Sequence, residues 1–283
     1  YFECGRYRFP MKTVNTNGLK TVFKPLVMGI LNVTPDSFSD GGKFQSLDHA
    51  ITHAEQMIED GVDIIDIGGE SSRPGAKPLS LDEELKRVIP LIYALRDCGK
   101  PISIDTYKSE VMREAIIAGA DMINDIRGFD SVQARAVVAD SDVGLCVMHM
   151  QKSPATMQEQ PSYQNVTQDV IFFLRERCDQ LMASGVEKNR ISIDPGFGFA
   201  KTLEHNYELL QNLELLQFHD LPILAGISRK SMIYRTLDTK PENALNGTTF
   251  LHAFCLQKGS NILRVHDVKE AVECVKLMCR LGN

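Results

Sequence analysis

Eight short apolar segments of this sequence each end in polar or charged residues, a pattern that indicates chemistry at one edge of a sheet. The residues at these ends are Asn32, the Gly69-Glu70-Ser71-Ser72-Arg73 run, Asp105, Asn124, Asp125, His149, Asp194, the Ser228-Arg229-Lys230 run, Arg264 and His266. We interpret Asp125, Asp130 and Asp267 as turn formers or caps. The remaining residues favour a single site.

One set of these residues suits a flat heterocycle. Asp105, Asn124 and Asp194 offer carboxylate and amide oxygens from deep positions, and Lys230 adds a donor. Buried acceptors need partners, and a ring that carries N–H and amino groups would supply them, with the lysine on a ring carbonyl. The alternative is structural, because Asp105 could instead form an ion pair with a lysine of a neighbouring strand.

A second set suits a phosphate or diphosphate. Arg73, Arg264 and His266 are basic, and Asn32 offers an oxygen ligand. Together they favour an anion accompanied by Mg²⁺, whose preference for hard oxygen ligands fits an amide, a phosphate and water. Here too an alternative stays open, because Arg264 could be paired within the protein.

The segments that must position these residues alternate between strand and helix patterns. The predicted strands are residues 27–33, 64–68, 102–105, 122–125, 145–149, 191–194, 223–227 and 262–265. The best-formed helical windows are 81–97, 166–184 and 268–281, and the connection 106–121 is long enough for a short crossover helix. Eight strand–helix units predict an α/β fold, the (β/α)8 TIM barrel, whose active sites lie where the strands end.

The domain prediction is a single barrel over residues 26–283, preceded by a short hairpin-like extension over residues 1–25. A chain of 283 residues with 43% hydrophobic residues suits one such barrel. A doubly wound open sheet is the alternative fold, but it would usually show a Gly-rich phosphate loop after the first strand. The sequence has no such loop at that point.

Composition argues against several classes of partner. A net charge of −6 disfavours a general affinity for nucleic acid or anionic membranes. No apolar run approaches the roughly 18 residues of a membrane span, and residues 1–10 lack the apolar core of a signal peptide. The seven cysteines form no C-x-x-C pair and read as reduced thiols. We therefore predict a cytoplasmic protein that acts on small molecules, without nucleic-acid or membrane partners.

Eight motifs between residues 27 and 268 carry a resemblance to a known family. In order they are MGILNVTPDSFSDGG, DIGGESSRPGA, ISIDTYK, MINDIRGF, MHMQ, ISIDPGFGFAK, GISRKS and RVHDV. Together they resemble dihydropteroate synthase, and the first is highly specific by itself. That family joins a dihydropterin bearing a methylene diphosphate to p-aminobenzoate and releases pyrophosphate, which makes 7,8-dihydropteroate for folate biosynthesis.

The resemblance implies a role for each residue that matches a family motif. The implied pterin-binding residues are Asp105, Asn124, Met148, Asp194 and Lys230. The implied diphosphate-binding residues are Asn32, Arg73, Arg264 and His266, with Asn32 also a ligand of Mg²⁺. The implied p-aminobenzoate-binding residues are Phe38, Ser72, Pro74, Phe199, Lys230 and Ser231. We expect Met150, unlike Met148, to be an ordinary core residue.

The resemblance also suggests a reaction course and an assembly. Pyrophosphate would leave first, Asp105 would stabilise the resulting pterin cation, and Asp40 would orient the attacking amine or accept its proton, with Lys230 completing the catalytic set. The family is typically dimeric through its late helices, which implies a homodimer. The apolar stripe of 268–281 could serve that purpose or pack against the barrel wall.

Three residues depart from the commonest family pattern. Ser72 stands where threonine is usual, Lys152 where glycine often follows MHMQ, and Ala200 where the second glycine of GFGK is expected. Alanine is harmless only if the backbone there does not need positive φ. Sulfonamides compete with p-aminobenzoate in this family, so changes near Ser72 could alter inhibitor affinity.

Two other functions stay open on the sequence alone. A pterin-binding methyltransferase would share the barrel and pterin pocket but would not need the diphosphate residues. A catalytically silent pterin-binding paralogue would be expected to have lost loop or anion-site residues, and those residues are all present.

Overall fold

Eight parallel strands form the sheet that carries the predicted site. The structure is a computed structural model that describes residues 13–14, 22–33, 42–70, 78–151 and 161–282. The eight strands are β3 (Leu26–Asn32), β4 (Ile64–Gly68), β5 (Ile102–Asp105), β6 (Met122–Asp125), β7 (Gly144–Met148), β8 (Ile191–Asp194), β9 (Leu224–Ala225) and β10 (Ile262–Val265). Their order in the sheet is β8-β7-β6-β5-β4-β3-β10-β9. One parallel bridge between Ile193 and Ile223 joins the two edges, so the sheet closes into the predicted barrel.

Helices follow the strands and cover the outside of the barrel. They are α1 (Gly42–Glu59), α2 (Leu81–Leu95), α3 (Ser109–Ala118), α4 (Val132–Ala139), α5 (Val166–Ala183), α6 (Leu203–Gln211), α7 (Ser231–Tyr234), α8 (Leu245–Gln257) and α9 (Val268–Arg280). The predicted crossover helix in 106–121 is α3, which ends at Gly119 because glycine adopts its left-handed φ of 110° without strain. The predicted helical windows each end one or two residues too late.

The N-terminal part contains a small antiparallel pair. Strand β1 (Thr13–Val14) pairs with β2 (Val22–Phe23), in register Thr13 to Phe23. This pair agrees with the hairpin-like extension expected before residue 26. The domain boundary at residue 26 stays a prediction.

Strand β9 is shorter than predicted. The sequence predicts residues 223–227, whereas the ladder covers only Leu224–Ala225. The chain turns at once, since the Lys230 N–H donates to the Ile227 carbonyl and Arg229 has a left-handed φ of 54°. This turn takes the last residues of segment 223–227 out of the sheet. The contact between β8 and β9 is therefore short.

The barrel interior changes from apolar to polar along the strands. Its lower layer is a cluster of seven buried apolar residues, Leu26, Met28, Ile64, Met122, Cys146, Leu224 and Ile262. Alternate residues of a strand face the same side. The next interior layer therefore contains Asp66, Asn124, Met148, Gly226 and Arg264, each two residues further along its strand. We call the end of the barrel above this layer the barrel mouth.

The outer core lies between the strands and the helices. The predicted stripe on α9 packs there, with Val268, Ala271, Val272, Val275 and Met278 buried. Among the described residues, six cysteines are free thiols and four of them are buried. None of the helices in the described ranges is long and apolar enough to cross a membrane.

Candidate active site at the barrel mouth

Arg264 bridges two carboxylates inside the barrel mouth. Its Nε donates to Asp66 Oδ2 at 2.6 Å, and its Nη2 donates to Asp105 Oδ2 at 2.7 Å. Asp66 is fully buried and the other two side chains are nearly so. We expected Asp105 and Arg264 to belong to different sets, one for a flat heterocycle and one for a diphosphate, although a pairing of Arg264 within the protein was left open. The structure instead joins them, and the partner of Asp105 is an arginine rather than a lysine.

Asn124 extends this cluster and leaves acceptors without partners. Its Nδ2 donates to Asp66 Oδ2 at 3.2 Å, the same oxygen that accepts from Arg264. Within the described residues, Asp66 Oδ1 and Asn124 Oδ1 are buried and have no hydrogen-bond partner. Buried polar atoms are normally satisfied, so these oxygens mark a place where a ligand with N–H groups could bind.

Asp194 at the end of β8 and Lys230 after β9 converge in the barrel mouth next to Arg264. Asp194 Oδ1 accepts from the Gly196 N–H at 2.7 Å. Lys230 Nζ donates to the Phe197 carbonyl and lies 4.5 Å from the centre of the Phe199 ring. A Cβ added at Gly226 would lie 3.7 Å from Asp194 Oδ2 and 3.8 Å from Lys230 Nζ. Glycine therefore leaves space between these two charged groups.

Burial shifts the pKa values of these groups. It raises the pKa of Asp105, although the positive charge of Arg264 opposes the change, and it raises the pKa of Asp194. It lowers the pKa of Lys230 to about 8, against the attraction of Asp194. Burial alone would lower the pKa of Arg264, but the carboxylates of Asp66 and Asp105 hold it above its ordinary value. The arginine is therefore the permanent cation of the cluster.

His266 contributes a hydrogen-bonding group rather than a charge. Desolvation, together with the positive charges of Arg264 and Arg229, lowers its pKa. The residue is exposed, so water moderates this shift, but the neutral form still dominates at neutral pH. Its backbone N–H donates to Ser228 Oγ, and its Nδ1 lies 3.0 Å from the same hydroxyl. If the hydroxyl donates to Nδ1, Nε2 carries the proton and is a donor.

Asn32 and the apolar wall complete the mouth. A Cβ added at Gly68 would lie 3.1 Å from Asn32 Oδ1 and 3.8 Å from Asp105 Cβ, so Asn32 borders the charged cluster. The wall is a cluster separate from the main core and contains Ile126, Met148, Met150, Phe199 and Ala200, with Tyr107 against it. Met150 is buried in this apolar cluster, as expected of a core residue. Met148 lies in the same cluster, and its role beside a pterin ring stays a prediction.

Comparisons with known proteins identify the family. A model of the pterin binding enzyme family matches residues 28–266. The dihydropteroate synthase of Haemophilus influenzae is 46% identical over 276 residues, which covers 96% of this chain and all of the relative. The chain belongs to the dihydropteroate synthase family. Other functions weighed on the sequence, a methyltransferase and a silent paralogue, are not favoured by this relationship.

Solved structures of dihydropteroate synthases share the fold. The Burkholderia cenocepacia enzyme, crystallised with 7,8-dihydropteroate, is 45% identical with a TM-score of 0.85 and covers 93% of each chain. The Yersinia pestis enzyme, crystallised with a sulfonamide drug, is 43% identical with a TM-score of 0.87 and covers 96% of this chain and 99% of the other.

Several predicted residues of this synthase lie outside the described ranges. They are Phe38, Asp40, Ser72, Arg73, Pro74 and Lys152. Their roles stay predictions. Ser231, the first residue of α7, is partly buried and directly follows Lys230.

Of the aspartates interpreted as turn formers or caps, Asp125 forms a turn as expected, whereas the Asp267 side chain makes no capping hydrogen bond to α9. Asp125 Oδ1 accepts from the Arg127 N–H at 2.8 Å and Oδ2 from the Phe129 N–H at 2.9 Å, while burial raises its pKa to about 7. Asp267 accepts from Arg229 Nε at 2.9 Å. Both aspartates therefore stabilise the protein's own structure.

Sequence reasoning missed two residues of the site, Asp66 and Lys201. A signal for Asp66 was present, since it is a carboxylate inside the apolar β4 and two residues after an interior isoleucine. Lys201 belongs to the ISIDPGFGFAK motif, but the motif alone does not distinguish it from a lysine exposed to solvent. The structure instead buries it against His149, whose side chain we had placed among the strand-end groups.

Proposed function

We infer that this chain is a working dihydropteroate synthase. It condenses 7,8-dihydropterin-6-ylmethyl diphosphate with p-aminobenzoate to give 7,8-dihydropteroate and pyrophosphate. The observation that carries this inference is the buried pair of unpartnered acceptors, Asp66 Oδ1 and Asn124 Oδ1, beside the permanent charge of Arg264. Such a site can bind a flat N–H-bearing ring at one end and an anion at the other.

The pterin ring would lie between the two acidic groups of the mouth. Asp105, Asn124 and Asp194 would accept from its ring N–H and amino groups, and Lys230 would donate to its carbonyl. Met148 would form an apolar wall beside the ring. Support comes from the convergence of Asp194 and Lys230 over Gly226 and from the position of Met148 in the apolar cluster.

The diphosphate would be bound by Arg264, His266, Asn32 and Arg73. A guanidinium has five N–H donors, and Arg264 uses one on Asp66 and one on Asp105. The remaining three can bind diphosphate oxygens without breaking the cluster. His266 would donate from Nε2 as a neutral group.

We propose that Mg²⁺ accompanies the diphosphate, with Asn32 as its protein ligand. Among the described residues no three His, Cys, Asp or Glu side chains are arranged to hold a metal. One exposed amide oxygen, with water and phosphate oxygens, is a donor set that fits Mg²⁺. When bound, the ion would neutralise part of the diphosphate charge.

The reaction breaks one carbon–oxygen bond and forms one carbon–nitrogen bond. The electron pair of the broken bond leaves with pyrophosphate, whose charge Arg264 disperses, and the methylene carbon becomes part of a delocalised cation. Asp105 stabilises that cation, and the amine of p-aminobenzoate then attacks it. Asp40 would orient the amine and accept its proton.

The p-aminobenzoate pocket would be formed by Phe199, Lys230 and Ser231, together with Phe38, Ser72 and Pro74. The contact between Lys230 and the Phe199 ring supports the first part of this set. Since the Yersinia relative was crystallised with a sulfonamide drug, we propose that sulfonamides compete for the same pocket here.

We further propose a cytoplasmic homodimer acting only on small molecules, organised as a pterin-binding barrel over 26–283. Free and mostly buried thiols support a reducing compartment. The stripe on α9 packs on the barrel, so a dimer would use exposed residues of α8 and α9 such as Phe250 and Leu277.

An assay of pyrophosphate release tests this function. The purified chain is given the pterin diphosphate and Mg²⁺, with and without p-aminobenzoate, and dihydropteroate is measured by mass spectrometry. A synthase releases pyrophosphate in proportion to dihydropteroate and depends on the amine. A silent paralogue binds the pterin without forming product, and a methyltransferase would be active only with a methyl-bearing folate.

A further inference from the structure

The loop of residues 195–200, between β8 and α6, controls the position of Lys230. Phe197 supplies the carbonyl that accepts from Lys230 Nζ, and Phe199 supplies the ring beneath it. Gly196, Gly198 and Ala200 all have left-handed backbone, with φ of 70°, 80° and 48°. The two glycines adopt these φ values without strain, whereas Ala200 is strained there and needs surrounding contacts to hold it.

Lys201 holds this loop from beneath. Its buried Nζ donates to the Gly196 carbonyl at 2.9 Å and the Phe199 carbonyl at 3.1 Å, and lies 3.0 Å from His149 Nδ1. Burial lowers the pKa of Lys201 to about 7, against the attraction of Asp194. In its ammonium form the group has three donors, and each one here has its own acceptor. Burial and the nearby charge of Lys201 lower the pKa of His149 well below its ordinary value, so Nδ1 can accept.

Two further side chains contact the loop from the helical side, in addition to Asp194, which accepts from the Gly196 N–H. Tyr163 Oη donates to the Ala200 carbonyl at 2.8 Å, and Asn206 Oδ1 accepts from the Gly198 N–H at 2.7 Å. Within the described residues, Lys201 is the side chain that links two loop carbonyls to the end of β7. Gly196 is fixed there as well, because a Cβ would lie 2.0 Å from the His149 carbonyl oxygen.

We propose that Lys201 is a positioning residue for the reaction, which ties the 195–200 loop to His149 and thereby sets Lys230 and Phe199 for the two substrates. It acts through these residues and does not itself contact substrate. This inference rests on the proposed function, and it assigns a role to a residue that the mechanism above does not use.

The test compares Lys201→Met with a matched control, Arg190→Met. Arg190 is also a buried cation that donates to two backbone carbonyls, those of Val143 and Val138, but it lies just before β8 at the far end of the barrel. Both variants should lower the melting temperature. Only Lys201→Met should raise the KM for p-aminobenzoate and the Kd for a diphosphate-free pterin, each by about tenfold, because misplacement of binding groups weakens substrate positioning.

A second comparison shows whether the effect passes through Lys230. In a Lys230→Met background, adding Lys201→Met should change the pterin Kd by less than about twofold, because the group that it positions is already gone. If the two effects multiply independently, the proposal is overturned. Should Lys201→Met not fold, Lys201→Gln, which retains two donors, is measured in its place.

Failure of this inference differs from failure of the proposed function. A wild-type chain that makes no dihydropteroate would overturn the function. A wild-type chain that makes dihydropteroate, while Lys201→Met binds both substrates as tightly as wild type, would overturn only the positioning role.

Discussion

The charged cluster around Arg264 and the loop beneath Lys230 are built in opposite ways. In the cluster, side chains bind one another, and Asp66 and Asn124 each keep a buried oxygen without a partner among the described residues. In the loop, side chains bind backbone groups, and the three donors of Lys201 are all used. The cluster therefore needs a ligand to complete its hydrogen bonds, whereas the hydrogen bonds of Lys201 to the loop are complete before any ligand binds. Changes in the cluster should affect chemistry and anion binding, and changes in the loop should affect geometry.

The largest effect should come from Asp105→Asn. The substitution keeps the shape and a hydrogen-bond acceptor but removes the negative charge that stabilises the pterin cation. We expect kcat to fall by on the order of 10²- to 10³-fold with little change in pterin affinity. Steady-state kinetics and calorimetry with a diphosphate-free pterin measure the two quantities.

The control for Asp105 is Asp125→Asn. Asp125 is also buried at a strand end, but both of its oxygens accept from backbone N–H groups. We expect lower stability with kcat nearly unchanged. Equal losses of kcat and pterin affinity in Asp105→Asn would mean that Asp105 only binds substrate.

Arg264→Ala should lose diphosphate binding but retain pterin binding. Removing charge-assisted hydrogen bonds should weaken pyrophosphate binding by about 100-fold. It also leaves Asp66 and Asp105 buried without their cation, which should lower the free energy of unfolding by about 3 kcal/mol. Calorimetry with pyrophosphate and chemical denaturation test both effects.

The matched variant for Arg264 is Arg229→Ala. Arg229 lies near the mouth but is paired with Asp267. Its loss should change pyrophosphate affinity by less than about twofold. Similar losses in both variants would place the anion site elsewhere on the mouth.

The Lys230 side of the mouth should respond to pH. Burial lowers the pKa of Lys230 to about 8, so its ammonium is present below that pH and lost above it. We expect kcat/KM for the pterin substrate to fall as pH rises through about 8, because a neutral amine is a weaker donor to a ring carbonyl. A pH profile of Lys230→Met should lack this limb. Persistence of the limb in that variant would assign it to another group.

The smallest effect should come from Ala200→Gly in the loop. A left-handed alanine is strained by about 1–2 kcal/mol, and glycine relieves this strain while losing a buried methyl group worth about 0.8 kcal/mol. We expect the free energy of unfolding to change by less than about 1 kcal/mol. Denaturant titration measures it.

Ala115→Gly supplies the comparison for Ala200. Ala115 is buried in α3, where glycine loses both the methyl group and helix propensity, so unfolding should become easier by about 2 kcal/mol. An Ala200→Gly variant as unstable as Ala115→Gly would contradict the idea of strain in the loop.

Local patterns were enough to predict the barrel and most of its strand ends. Apolar segments of strand length followed by a polar residue correctly located Asp105, Asn124, Asp194 and Arg264 at the barrel mouth. Five strands also have the predicted limits, because their apolar runs end where the ladder ends. The predicted limits of strand 223–227 were wrong because a turn, rather than the end of the apolar run, ends β9.

Contacts between distant parts of the chain could not be predicted in this way. The Arg264–Asp66 pair joins residues 198 positions apart, and it forms only because the sheet closes. The lowered pKa of His266 depends first on desolvation, which arises only on folding, and then on the positive charges of Arg264 and Arg229. Lys201 belongs to the ISIDPGFGFAK motif, but its role could not be predicted from that motif, since the role comes from its contacts with His149 and with two loop carbonyls.

The short contact between β8 and β9 has a consequence for local opening of the barrel. Most neighbouring strands share ladders of several residues, but here the closure depends on the bridge from Ile193 to Ile223. Transient separation of the sheet should begin at this bridge, whose residues precede Asp194 and Lys230 along their segments of the chain. A pterin bound by both side chains would link β8 to the segment after β9 and oppose their separation. Amide hydrogen exchange of residues near Ile193 and Ile223 should therefore slow markedly once the ring is bound.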